Sequence, residues 1–181
     1  MSLRDSVLVS TDWLAGNLGR PGLRVVDIRG KVQPPGSTPR YLPKRHDYEA
    51  THVPGAVFVD WTRDIVDPLD PVPVQIAKPD AFAAKMGELG IGDDTFVVAY
   101  DDYDHIFAGR MAWALRYYGH DAVRVLDGGW ARWLAEGRLI SQEVPAHVAA
   151  QFTARPRPAL RRNSSPPAAT KGLPLLSQSC A

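Results

Sequence analysis

Thr95-Phe96-Val97-Val98-Ala99-Tyr100-Asp101-Asp102-Tyr103-Asp104 decides the fold. Its first six residues are an apolar run with the β-branched and aromatic content of a buried strand. The acidic loop Asp101–Asp104 follows directly. Phe107, Met111, Ala114, Leu115 and Tyr118 then lie on one face of a helix that Gly119-His120-Asp121 ends. Val123-Arg124-Val125-Leu126 is a second short strand. Asp127-Gly128-Gly129 turns it into another helix carrying Trp130, Trp133 and Leu134, stopped at Gly137. Strand, loop, helix, strand, loop, helix is the order of an open parallel sheet. In such sheets ligands bind at the loops leaving the carboxyl ends of strands, so function turns on Asp101 to Gly109.

Working outward, Val7-Leu8-Val9 is a strand candidate, and Ser10 caps a helix carrying Trp13, Leu14 and Leu18. Leu23 to Arg29 reads as a strand that ends in charge. Gly30 to Pro43 holds four of its prolines close together and is expected as a loop, with a helical turn at Tyr48-Glu49-Ala50. His52-Val53-Pro54-Gly55-Ala56 is a tight connection into the strand Val57 to Asp60. Thr62 to Lys78, punctuated by proline, is expected as a long surface loop. Pro79-Asp80 opens a helix with Phe82, Met86 and Leu89 on one side, closed by Gly90 and Gly92. The expected fold is α/β, a central five-stranded parallel sheet with helices on both faces. Residues 7–145 form the domain, 146–160 a linker and 161–181 a disordered tail of Ser, Pro, Ala and Arg.

The chain has 181 residues, 45% hydrophobic and 23% charged, with a net charge of +1. That balance implies neither a nucleic-acid partner nor an anionic membrane surface. The single cysteine, Cys180, allows no intrachain disulfide and no four-cysteine zinc site. Met1 to Asp5 lacks the apolar core of a signal peptide, and no apolar run approaches the roughly 20 residues that span a bilayer. A cytoplasmic location is expected.

Of His46, His52, His105, His120 and His147, no two stand at ligand spacing on one helix, so no metal and no cofactor are expected. His52 reads as a structural hydrogen-bonding residue. Gly128 and Gly129 read as backbone hinges, and Trp130, Trp133 and Leu134 as core. The acidic loop has two readings. It is a capping cluster at a helix N-terminus, or Asp102-Tyr103-Asp104 holds a nucleophilic aspartate and magnesium, as in haloacid-dehalogenase-like phosphatases. The second needs a downstream lysine and a further carboxylate pair, and Asp127 stands alone while Lys171 lies in the tail.

Val25-Val26-Asp27-Ile28-Arg29, Tyr48 to Asp60 with its His-Val-Pro-Gly-Ala core, Phe96 to Asp101, Tyr118-Gly119-His120 and Val125-Leu126-Asp127-Gly128-Gly129-Trp130 together resemble the rhodanese domain, in order and spacing from about Ser10 to Gly137. The motif positions are Asp27, Arg29, His52, Pro54, Gly55, Asp127, Gly128 and Gly129. The resemblance implies transfer of a sulfane sulfur from thiosulfate or 3-mercaptopyruvate to cyanide or a thiol. The carrier is a cysteine persulfide directly after the Tyr of the central strand, cradled by loop N–H groups. The matching residue here is Asp101. A carboxylate cannot carry a sulfane sulfur, and Asp102 and Asp104 add negative charge where an anionic donor would approach.

The site is therefore expected to be degenerate, made of Asp101, Asp102, Asp104, His105 and Arg110, with Arg110 a partner for the aspartates and Arg29 ion-paired to an acidic neighbour. The pattern resembles the first, non-catalytic domain of tandem-rhodanese sulfurtransferases. Its expected partner is a second rhodanese domain, or another copy of itself, with a small anionic sulfur donor engaged only in an intact protein. Periodicity is lost near Arg161-Arg162, which raises the expectation of a first half truncated or with its reading frame lost there. Cys180 is expected to be an incidental thiol. The alternative is a free-standing rhodanese-like binding module.

Overall fold

The computed structural model describes residues 6–161. Its strands are β1 (Leu8–Val9), β2 (Leu23–Asp27), β3 (Gly30–Val32), β4 (Tyr41–Pro43), β5 (Ala56–Phe58), β6 (Phe96–Tyr100) and β7 (Val123–Leu126). Its helices are α1 (Thr11–Ala15), α2 (Arg45–Ala50), α3 (Pro79–Glu88), α4 (Ile106–Tyr117) and α5 (Gly129–Ala135), with a 3-10 turn at Pro158–Leu160. Five strands form the expected parallel sheet in the order β1-β7-β6-β2-β5. β6 is its middle strand, with Val98 opposite Val25 and Tyr100 opposite Asp27.

Two apolar cores, one on each face, explain why these strands read as unbroken apolar runs rather than alternating ones. Val97 and Ala99 of β6, Val26 of β2 and Val57 of β5 pack with Phe82 and Met86 of α3 and Met111 and Leu115 of α4. Their neighbours Val98, Tyr100, Val25 and Phe58 pack with Leu14 of α1, Tyr48 of α2, and Trp130 and Trp133 of α5. Alternation of period two thus sends consecutive side chains into different layers. Each fully buried Val, Leu, Phe or Met stabilises the fold by about 1.5–3 kcal/mol before its entropy cost. Leu134, expected in the core beside the two tryptophans, is instead exposed, because α5 turns only its Trp130 and Trp133 side to the sheet.

The proline-rich stretch Gly30 to Pro43 is not simply a loop: β3 and β4 pair antiparallel within it. The hairpin lies on Trp61, whose indole N–H donates to the Leu42 carbonyl at 3.1 Å. Gly30 has to be glycine there, since a Cβ would come within 2.1 Å of the Trp61 ring nitrogen. Thr62 to Lys78 is likewise more than a surface loop. Ile65, Val66, Ile76 and Ala77 are buried, and Val66 and Ile76 form an antiparallel bridge that anchors both ends of the excursion.

The 146–160 stretch lies along the domain. Phe152 packs edge-on against Phe82 with ring centres 5.7 Å apart. Arg155 and Arg157 donate backbone N–H bonds to the carbonyls of Tyr118 and Tyr117, and the Arg157 guanidinium clasps both Asp121 oxygens. From Arg162 onward the expected tail, Cys180 included, lies outside the described residues. No helix among the described residues is long and apolar enough to cross a membrane.

Candidate functional site

β6 delivers Asp101 to the carboxyl end of the middle strand, where the sheet's connections diverge toward β2 on one side and β7 on the other. The Asp101 carboxylate is buried and saturated. Its Oδ1 accepts the backbone N–H groups of Tyr103 and His105, both at 3.0 Å. Its Oδ2 accepts those of Phe107 at 2.8 Å and Ala108 at 2.9 Å. The loop achieves this by placing Asp104 (φ 49°) and His105 (φ 63°) in the left-handed region, which turns successive N–H groups inward as an anion nest. The last two donors open α4, so one side chain both closes the loop and caps the helix. The capping reading of the loop therefore falls on this one carboxylate.

The opposite wall is the turn between β7 and α5. The Asp101 carbonyl accepts the Trp130 N–H at 2.8 Å. A Cβ on Gly129 would sit 2.5 Å from that carbonyl oxygen, and Gly128 and Gly129 have φ of 77° and 55°, so the backbone role read from the sequence holds. His105 Nε2 accepts the Gly128 N–H at 3.1 Å and ties the two loops together. Asp101 to His105, Gly128, Gly129 and Ala131 enclose a hollow of about 120 Å³.

Asp102 pairs with Lys44, Nζ to Oδ2 at 2.5 Å, while its Oδ1 is buried without a partner. Lys44 stands 58 residues away in the chain and carries no local sequence signal. Asp104 is exposed. Arg110 does not pair with the aspartates, contrary to expectation. Its guanidinium donates to the Val74 carbonyl, Nε is buried without a partner, and burial pushes its pKa down. The α4 helix turns it toward the Thr62–Lys78 excursion, which the sequence had not shown to lie over that face.

Beneath the site a polar network fixes the strand ends. Arg29 pairs with Asp27 at 2.8 Å, donates to the Thr51 carbonyl at 2.6 Å and stacks on the Trp130 ring at 4.6 Å. Burial works against the Arg29 charge, but the Asp27 carboxylate outweighs it and holds the guanidinium above its ordinary value. The Tyr100 hydroxyl donates to Asp27 at 2.6 Å and accepts the Val53 N–H at 3.1 Å; burial and Asp27 push its pKa well up, so it stays a donor. Arg29 is thus ion-paired, as expected, and buried rather than turned to a cleft. Tyr100 is a structural support of the strand ends that the sequence reading placed only as core.

His52 contacts the Tyr48 carbonyl through Nδ1 at 2.7 Å and the Glu143 carbonyl through Nε2 at 3.0 Å, the structural role expected of it. Pro54 and Gly55, with φ 75° at Gly55, turn the chain into β5. Asp127 accepts Arg132 Nη1 at 3.0 Å. None of these four positions lines the hollow at Asp101.

A parallel sheet whose middle strand ends in an N–H nest, faced by a Gly-Gly turn, is a scaffold for holding one anionic atom. Residues 10–136 match the family model described as the rhodanese-like domain. The chain belongs to the rhodanese-like domain family. This rhodanese-like domain is 39% identical over 160 residues to a thiosulfate sulfurtransferase of Bos taurus, covering 84% of this chain and 48% of that protein. It is 35% identical to a sulfur carrier protein, TtuD, of Thermus thermophilus, covering 81% of this chain and 46% of the relative. The crystal structure of SseA from Escherichia coli, described among the 3-mercaptopyruvate sulfotransferases, superposes with a TM-score of 0.75 at 32% identity, over 83% of this chain and 56% of that one. The chain spans about half the length of the curated relatives it matches.

Proposed function

We propose that this chain is the non-catalytic half of a tandem-rhodanese sulfurtransferase, acting on a sulfur donor such as thiosulfate or 3-mercaptopyruvate only together with a second, cysteine-bearing rhodanese domain. One observation carries the reading. The position matching the family's sulfur-carrying cysteine is Asp101, and its carboxylate fills the N–H nest that would otherwise receive the sulfur. Sulfane transfer needs a thiolate that attacks the donor sulfur and holds it as a persulfide. The carboxylate has no such chemistry, and no cysteine occurs among the described residues. Alone, the chain is catalytically silent.

Its contribution in the two-domain protein is a surface. Tyr103 and Ile106, 43% and 55% exposed, stand beside the hollow as two apolar knobs. Large apolar side chains exposed together on one loop suit a protein partner. The share of the relatives that this chain leaves unmatched supports a second rhodanese domain as that partner. The cytoplasm is the compartment proposed, tested by fractionation of the source cells.

Light scattering on the purified chain tests the docking role. Concentration-dependent self-association is expected, and Ile106→Asp is expected to abolish it without lowering the melting temperature. A chain that stays monomeric at every concentration overturns the docking surface and favours a free-standing binding module.

A further inference from the structure

β5 is an edge of the five-stranded sheet and pairs with β2 on one side only. In a parallel ladder, alternate residues of a strand turn their N–H and C=O to the same neighbour. The Val59 N–H donates inward to the Asp27 carbonyl at 2.9 Å, so Val57, two residues before it, faces β2 as well. Ala56, Phe58 and Asp60 therefore turn their backbone groups out of the sheet. The fold supplies partners on both sides of Phe58. The Ala56 N–H donates to the Val53 carbonyl at 3.0 Å, and the Ala56 carbonyl accepts the Tyr48 hydroxyl at 2.9 Å. The Asp60 N–H donates to Asp64 Oδ2 at 2.8 Å. Among the described residues, no hydrogen bond reaches the outward N–H and C=O of Phe58, although Phe58 is buried. A buried backbone donor and acceptor left together without partners are uncommon and costly.

Val57 and Phe58 line a hollow of about 240 Å³. It also touches Arg45 and Tyr48 of α2, which packs on one face of the sheet, and Lys85 of α3, which packs on the other. A hollow that reaches the edge strand and a helix on each face straddles the open edge. Its remaining wall is the extended strap that carries Val144, Pro145 and His147. The strap is fastened at both ends: the Ser141 N–H donates to the His52 carbonyl at 2.9 Å, and His147 Nε2 donates to the Glu88 carbonyl at 2.6 Å. Lys85 is taken by Asp64 at 3.6 Å and Glu88 at 2.6 Å. Arg45 is exposed, lies 4.7 Å over the Phe58 ring and holds no carboxylate among the described residues. It is the cation to which an incoming acid can come.

We propose that the β5 edge binds an extended peptide segment of a partner protein, adding it as a strand at Phe58 with an acidic side chain on Arg45. An extended chain offers an N–H and a C=O side by side, which is the complement of the Phe58 pair. Paired antiparallel, the residue opposite Phe58 exchanges both bonds with it and turns its side chain to the same face, where Arg45 lies. A small carboxylate ion would answer Arg45 but leave the Phe58 carbonyl without a donor. Leu89 and the exposed Val144 offer apolar contact to the flanking side chains. No residue lining this hollow lines the one at Asp101, so the site stands or falls independently of the sulfurtransferase reading.

The test is a titration of the ¹⁵N-labelled full chain with the acetylated pentapeptide amide Val-Thr-Glu-Thr-Val, followed by amide chemical shifts. The sequence reads the same in both directions, so one probe serves either strand orientation. Saturable binding is expected, with the Phe58 N–H among the amides that move furthest. N-methylation of the central Glu removes the donor to the Phe58 carbonyl and should weaken binding about tenfold or more. Gln in place of that Glu, and Arg45→Ala in the chain, should each weaken it about threefold or more. Arg45 is exposed, so Arg45→Ala keeps the fold, and the N-methylated peptide decides the matter without altering the protein. Absence of saturable binding overturns the proposal, as does binding that leaves the Phe58 amide unmoved or is indifferent to N-methylation. Equal affinity for the Glu and Gln peptides overturns the assignment of an acidic partner to Arg45.

Discussion

Replacing Asp101 with alanine removes the shared acceptor of four backbone N–H groups. Water can reach the N–H groups of Tyr103 and His105, in a loop open to solvent, so their loss costs little. Phe107 and Ala108 are buried, and each N–H left there without an acceptor costs about 1–3 kcal/mol. The expected loss is therefore about 2–5 kcal/mol, allowing for some collapse of the loop. That is a large share of the roughly 5–15 kcal/mol that holds a domain folded. Asp101→Asn is expected to be nearly as damaging. Each carboxylate oxygen accepts two N–H groups, so an amide NH₂ in either place faces two donors. The assay is guanidinium unfolding followed by tryptophan fluorescence, comparing midpoints at unchanged slope. Asp104→Asn, at an exposed position that tolerates positive φ, is the control and should shift stability by less than about 0.5 kcal/mol. Formate added to Asp101→Ala should restore part of the loss by refilling the nest. Losses below about 1 kcal/mol for both substitutions, with no response to formate, would refute the idea that this carboxylate holds the nest together.

Tyr100→Phe leaves the Val53 N–H without its acceptor in the core and takes one donor from Asp27 Oδ2, which Arg29 still holds, and should cost about 1–3 kcal/mol in the same unfolding assay. Burial lowers the His120 pKa below its ordinary 6.5, so below that pH the unfolded chain takes up a proton that the folded one resists. Stability should fall as pH drops from 6.5, and His120→Gln should flatten that slope in melting curves. Glu136 is held down at about 2 by Thr11, Arg132 and Arg138. Its contribution is full above its ordinary 4.5 and lost as pH falls toward 2, so the melting difference between the wild type and Glu136→Gln should narrow across that window.

The central sheet was legible because both of its faces are buried: β2, β6 and β7 then read as apolar runs that composition alone exposes. The Asp101 loop was legible because it follows such a run and precedes a strong helical face. The β3–β4 hairpin was not, since proline punctuation hides strands whose pairing depends on Trp61, a residue beyond the loop. The anchors Ile65 and Ile76 were missed for a similar reason. Isolated apolar residues in a proline-rich stretch carry no period, and only the fold shows the hollow they fill. Charge partners were the least legible. Arg29 and Asp27 are two residues apart and could be paired from sequence, but Lys44 reaches Asp102 and Arg110 reaches Val74 across separations that no local pattern encodes. Leu134 failed because a helix as short as α5 offers too few turns to fix which side faces in.

The most direct test of the account is thiocyanate production from thiosulfate and cyanide by the purified chain, run beside its Cys180→Ser variant. The account predicts no turnover above the uncatalysed background in either protein. Sustained turnover that survives Cys180→Ser would contradict it, because sulfur would then be carried at a site whose only candidate is an aspartate.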